Sequence, residues 1–247
     1  MVIDFHVHGK IKCTYPFDQD KFLETVQEAK EGGLDSLALT EHCHAENFFE
    51  GYNFLKANYE QIDDYFDVDG FKVFYGMEIT TQQSIDIVMI GNPKLIIELR
   101  EKVLQQLKDE KYIDINTLFT IPIIKELLVI LAHPYRKYSE FPTLHHEVIE
   151  KINAVEFNAK DLYKNGIEET KRKVTELAKK FHLPIVCGSD THYFIQIASV
   201  KNILPKDCTT VKEIKEEIQK GNNRIAISSE LPIRVKSAII IKKLICG

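Results

Sequence analysis

Seven short apolar runs, most of them rich in β-branched residues, punctuate the sequence: residues 2–5, 37–39, 72–75, 85–90, 128–131, 154–157 and 185–186. Their length and composition suit strands buried on both faces rather than helices. Longer charged stretches with helical periodicity lie between most of them. Residues 21–31 place Phe22, Val26 and Ala29 on one face, and residues 170–182 do the same with Val174, Leu177, Ala178 and Phe181. Gly32-Gly33 ends the first stretch and Leu183-Pro184 follows the second, both ordinary helix stops. Strand and helix in alternation predict βαβ units and a parallel sheet, either open and doubly wound or closed into a barrel. With 247 residues, 44% of them hydrophobic, and no linker-like tract, the expectation is a single domain over residues 1–247.

The histidines decide between the two sheets. Of nine in the chain, five follow the C-terminal ends of apolar runs: His6, His8, His42, His133 and His192. Glu78 and Asp190 occupy the same kind of position. In a barrel every strand end opens on one mouth, so residues distant in sequence converge; in an open sheet the outer strands lie too far apart to share a small site. The spacings carry further content. In DFHVH, His6 and His8 stand at i, i+2 on an extended strand and point the same way. Asp190 and His192 repeat that spacing in GSDTH, and Glu78 in GMEIT offers two oxygens that can bridge two ions. Imidazole and carboxylate without thiolate suit Zn, Mn or Fe. One strand-end histidine is ordinary, but five with two acids point to a metal site. His44, His145, His146 and His182 are read as ordinary polar side chains, with His145-His146 in a solvated loop and His182 at a helix C-terminus.

Composition removes several partners. The net charge is −5 and no basic stripe is present, which disfavours long nucleic acid. The five cysteines are scattered, odd in number and without a CxxC pair, as expected of reduced thiols in a cytoplasmic protein. Cys43 and Cys187 flank candidate ligands and are read as packing residues. No apolar stretch reaches the roughly 18 residues of a membrane span, and nothing near Met1 resembles a secretory leader.

In order along the chain, DFHVH, TEHCH, GMEIT, LAHPYR, VEFNA and GSDTH resemble the motifs of the PHP (polymerase and histidinol phosphatase) family, from Asp4 to His192. The resemblance implies an α/β fold, a distorted (β/α)7 TIM-like barrel, with two or three divalent metal ions at its C-terminal mouth and phosphoric ester hydrolysis as its chemistry. It implies a first metal site of His6, His8, Glu78 and Asp190, a second of His133 with Glu78 bridging, and a third served by His42 and His192. The chain departs from the pattern in three places. The loop after HxH is long, with Asp18 as its best candidate ligand ahead of Cys13 and Asp20. Val88 stands where many members carry a further histidine, so two firm ions and a weaker third are expected. Glu41 replaces the aspartate of the usual TDH.

Asp190 and His192 are candidates to move a proton to the leaving group. Arg136 is the candidate to grip phosphate bidentately, ahead of Lys10 and Lys160. The expected function is hydrolysis of a small phosphomonoester or nucleotide by metal-activated water, with histidinol phosphate one option. Two alternatives stand beside it: a metal-binding module without turnover, and an amidohydrolase, against which the early Glu78 and the paired Asp190 and His192 speak. Residues 231–247 mix Ile, Val and Leu with Arg234, Lys236, Lys242 and Lys243, and are read as a terminal element packed on the barrel.

Overall fold

The computed structural model describes residues 1–107 and 110–247. In chain order its strands are β1 (Val2–Val7), β2 (Ser36–His42), β3 (Glu60–Ile62), β4 (Tyr65–Val68), β5 (Phe71–Thr80), β6 (Asp86–Gly91), β7 (Leu128–Ala132), β8 (Ala154–Asn158), β9 (Ile185–Gly188), β10 (Val200–Ile203) and β11 (Arg224–Ile227). The helices are α1 (Gln19–Glu31), α2 (Phe49–Asn58), α3 (Pro93–Leu107), α4 (Ile115–Leu118), α5 (His146–Ile149), α6 (Ala159–Asn165), α7 (Ile167–Phe181), α8 (Val211–Gln219) and α9 (Leu231–Cys246). The strands join in one sheet ordered β11-β10-β1-β2-β5-β6-β7-β8-β9, with β3 and β4 as a side branch on β5. Each of the seven apolar runs falls in one of β1, β2 and β5 to β9, and these seven form the wall of a distorted, nearly closed TIM-like barrel.

The wall is not wholly parallel. β1, β2 and β5 run together, as do β7, β8 and β9, but β6 is antiparallel to both of its neighbours. The cause is the link across residues 81–85, which is far too short for a crossover helix and turns at Ser84 with φ +57. The mouth end of β6 is therefore its first residue, Asp86, and not its last. A second irregularity lies in β1. Ile3 pairs with Ser36 and Asp4 with Leu37, but Val7 pairs with Leu39, so one residue is extra. This bulge lets Phe5 join Ile3, Ala38, Phe74, Val88, Ile130 and Val186 in the barrel interior while His6 also turns toward the mouth.

The helices cover the outside, packing on Leu37, Leu39, Val73, Tyr75 and Met77. Asp18 caps α1, accepting from the Lys21 N–H at 3.1 Å, and Gly33 leaves that helix at φ +75. The apolar face of α7 is the predicted one, and His182 ends it in the left-handed conformation with φ +55. Leu204 and the α8 residues Val211, Ile214 and Ile218 plug the end of the barrel opposite the mouth.

The seam between β9 and β1 closes by main-chain and side-chain hydrogen bonds. Near the mouth, the His8 N–H donates to Thr191 O at 2.8 Å and the Asp190 N–H to His6 O at 2.8 Å. Below, the buried Asn202 side chain of β10 stands in for a ladder. It accepts from the Cys187 N–H at 2.8 Å and donates to the carbonyls of Cys187 and Ile3 at 2.7 and 3.1 Å. Asn202→Ala strands these three buried backbone groups, and a loss of about 2–4 kcal/mol is expected. Urea titration should show a lower midpoint at an unchanged slope, whereas an unchanged midpoint would mean that the seam holds without this side chain.

Candidate metal centre

Glu78, on β5, lies at the middle of the mouth and is 3% exposed. Its Oε1 meets His133 Nε2 from β7 at 2.9 Å, and its Oε2 meets His42 Nδ1 from β2 at 2.9 Å. The same Oε2 lies 3.6 Å from His6 Nε2 and 3.5 Å from His8 Nε2. Those two imidazole nitrogens face each other at 3.2 Å, and Asp190 Oδ1 lies 3.4 Å from His8 Nε2. His192 packs beside His8 with ring centroids 4.2 Å apart. Two of these residues hold costly backbone conformations, Asp190 with φ +56 and His133 with φ +28.

The supports are as specific. Glu156 on β8 accepts from His6 Nδ1 at 2.8 Å through one oxygen and from the His133 N–H at 2.9 Å through the other. With both oxygens engaged it orients the His6 ring and fixes the His133 main chain, leaving His6 Nε2 aimed at the centre. Gly188 makes this approach possible, because a Cβ there would stand 2.1 Å from Glu156 Oε1 and 2.4 Å from His6 Cβ. Arg136 braces Asp190. Its NH1 meets Asp190 Oδ2 at 2.6 Å, its NH2 meets Asn158 Oδ1 at 2.6 Å and its Nε meets Asp161 Oδ1 at 3.2 Å. Lys160 Nζ lies 3.1 Å from the other Asp190 oxygen and 3.4 Å from His192 Nδ1.

Charge sets the protonation states. Burial works to raise the Glu78 carboxyl, but His42, His6 and the His133 hydrogen bond hold it well below the usual carboxylate range. Burial likewise works against Asp190, and Lys160 with Arg136 hold it well below that range. Burial, Lys160 and His8 push His192 well down, so it is a neutral imidazole. The residues fit divalent ions. His8 Nδ1, His42 Nδ1, Glu41 Oε2 and Asp86 Oδ1 are buried without a hydrogen-bond partner, the short His42–Glu78 contact lacking hydrogen-bond geometry. Four overlapping groups bring three donor atoms each within 4.8 Å of one another: His6, His8 and Asp190; Glu78, Asp86 and His133; His8, His42 and His192; and His6, His133 and Glu156. All the donors are imidazole nitrogens and carboxylate oxygens, a set suited to borderline and hard divalent metals.

Residues 168–223 match the PHP-associated family. Proteins of Clostridium botulinum strains Hall and Langeland, each named a probable phosphatase, are 29% identical over 239 residues, covering 86% of this chain and 86% of theirs. These matches agree with the resemblance of the chain's motifs to the PHP family. Among solved structures, PsfC from Pseudomonas syringae PB-5123 matches with a TM-score of 0.79 at 19% identity, over 99% of this chain and 98% of that one. The lesion-specific endonuclease of Pyrococcus furiosus matches with a TM-score of 0.61 at 17% identity, over 91% of this chain but 58% of its own. At these identities the likeness is one of fold.

The PHP motifs thus place His6, His8, His42, Glu78, His133, Asp190 and His192 around one mouth. Two residues singled out from sequence are engaged by other parts of the protein. Asp18 is the N-cap of α1, pairs with Lys21 Nζ at 2.7 Å, and lines a cavity together with His8 and His192. Arg136 has all three nitrogens engaged by protein and is no free phosphate grip, because Asn158 and Asp161 follow β8 to the same point. Val88 lies directly opposite Glu78 in the β5–β6 pairing and is buried in the barrel interior. The sequence reading missed Asp86 and Glu156. Asp86 reaches the mouth because β6 runs backwards, and lies 3.7 Å from His133 Nδ1. Cys43 and Cys187 are buried, and burial raises the Cys43 thiol to about 12, as packing residues require.

Divalent ions at about 100 times their Kd should raise the melting temperature by roughly 5–10 °C. Glu78→Gln should remove most of that rise, and a full rise in the variant would move the centre elsewhere. Asp18→Ala should cost about 1 kcal/mol through the lost cap while bound metal, measured by plasma emission, stays at the wild-type level.

Proposed function

We propose that this protein cleaves a small phosphomonoester, with divalent ions held by His6, His8, Glu78 and Asp190, by Glu78, Asp86 and His133, and by His42 with His192. The chain is a metal-dependent phosphoric ester hydrolase. The observation that carries the reading is Glu78, one ionised and buried carboxylate that meets imidazoles from three strands at one mouth. Ions in such a cluster supply Lewis acidity to a phosphoryl group and to an attacking water. Two or three ions suit the overlapping donor groups, with Zn, Mn or Fe the metals that match the donors.

The protein's own part follows from the charges. Lys160, beside Asp190 and His192, is the cation placed to face an incoming phosphate, a role Arg136 cannot take while it braces Asp190. Asp190 is ionised and His192 neutral, so neither carries an acidic proton for the leaving group; both act by holding position. The phosphatase names of the Clostridium relatives support a small substrate. The endonuclease likeness concerns fold and spans 58% of that enzyme, and this chain's net charge of −5 does not favour a nucleic-acid strand. Among the described residues all eleven strands share one sheet, which supports reading residues 1–247 as one domain, and five free thiols suit the cytoplasm. Among the described residues no helix is long and apolar enough to cross a membrane.

Full-length protein loaded with Mn²⁺ should hydrolyse p-nitrophenyl phosphate. His8→Ala should lower kcat/KM by about 100-fold or more, about 2.7 kcal/mol of transition-state stabilisation, while circular dichroism shows a folded chain. Full activity in that variant with unchanged metal content would remove His8 from the centre. A wild type that turns over no aryl phosphate with Mn²⁺, Zn²⁺ or Fe²⁺ would leave a metal-binding module without catalysis.

A further inference from the structure

The C-terminal helix α9 does more than pack on the barrel. Leu231, Val235 and Ala238 are its buried residues, spaced by four and three. Continuing that stripe by four and three reaches Lys242 and then Ile245, the same face of the helix. Where Lys242 comes, the stripe has left the core. Lys242 is half-buried, within electrostatic reach of Lys160 and Asp190 at the mouth. Ile245 is 43% exposed, yet it forms one wall of a cavity of about 160 Å³. His8 and His192 of the metal centre line the same cavity, and Tyr15, Tyr193 and Phe194 supply aromatic surface. Tyr15, in the loop after β1, and Ile245, at the end of α9, line this cavity together.

A void of about 150 Å³ holds one benzene-sized ring. Tyr15, Tyr193 and Phe194 suit such a ring, Asp18, Lys21 and Thr25 give the cavity a polar side, and two centre histidines put the ring next to where phosphate would sit. We propose that the last turn of α9 is the specificity wall of this site: Ile245 closes a cavity that takes the organic group of a phosphomonoester up to about one ring and shuts out larger groups. This rests on the phosphoesterase reading above for the location of the phosphate. The negative net charge disfavours a polynucleotide.

The test uses phenylphosphonate and 1-naphthylphosphonate, inert analogues with one and two rings, titrated calorimetrically into Mn²⁺-loaded full-length protein. Wild type should bind the one-ring analogue about 10-fold more tightly, the scale of an overpacked pocket. Ile245→Ala, a truncation at a partly exposed C-terminal position, should bring the two within about 3-fold by tightening the naphthyl compound. Methylphosphonate should bind both proteins equally. The same ratio in both proteins, no discrimination by wild type, or no phosphonate binding at all would overturn the wall. Discrimination in binding without hydrolysis of phenyl phosphate would overturn the phosphoesterase reading and leave the wall standing.

Discussion

One buried carboxylate, Glu78, holds the architecture and the chemistry together. A lone charge at 3% exposure would be expelled or neutralised by its cost in a low-dielectric interior. It is tolerated because β1, β2 and β7 each deliver imidazole to it. The barrel is what makes that delivery possible, since its strands share a mouth. The arrangement is mutual: the imidazoles keep Glu78 ionised, while Glu78 and Glu156 raise His6 against the burial that would lower it. A second circle of opposite sign surrounds Asp190, where Lys160 and Arg136 take one oxygen each. The centre is thus a set of alternating charges, and each member is costly without its neighbours.

Much of this was legible because strands buried on both faces read as unbroken apolar runs, and seven runs became seven wall strands. Strand direction was not legible in the same way. The run in β6 reads alike in either direction, and the signal lay in the five-residue link before it, too short for a crossover. Asp86 escaped notice because it stands at the start of its strand, whereas the candidate ligands were residues that follow apolar runs. β10 and β11 escaped notice because VKNI and RIAI are brief and interrupted by polar residues.

The site was legible in its ligand types and less so in its supports. Strand-end histidines announce themselves by position, whereas Glu156 is one acid inside the apolar run of β8. Its inward parity with Asn158 was the available sign. Arg136 and Lys160 could not be ranked from sequence, because the choice turns on Asn158 and Asp161 meeting the guanidinium in space. Asp18 illustrates a competing use: a carboxylate just before a helix satisfies orphan N–H groups, and that local demand took it.

The seam closed by Asn202 has a mechanical consequence. Neighbouring wall strands elsewhere pair in ladders, but between β9 and β1 the wall is fastened by the Asn202 side chain below, by Asp4 and Ser189 in the middle and by two main-chain bonds above. His6 and His8 hang on one side of that clasp, and Asp190 and His192 on the other. An ion gripping both sides would act as a rivet, so the molecule would breathe most freely along this line when empty and stiffen there when loaded, with the rest of the barrel hardly involved.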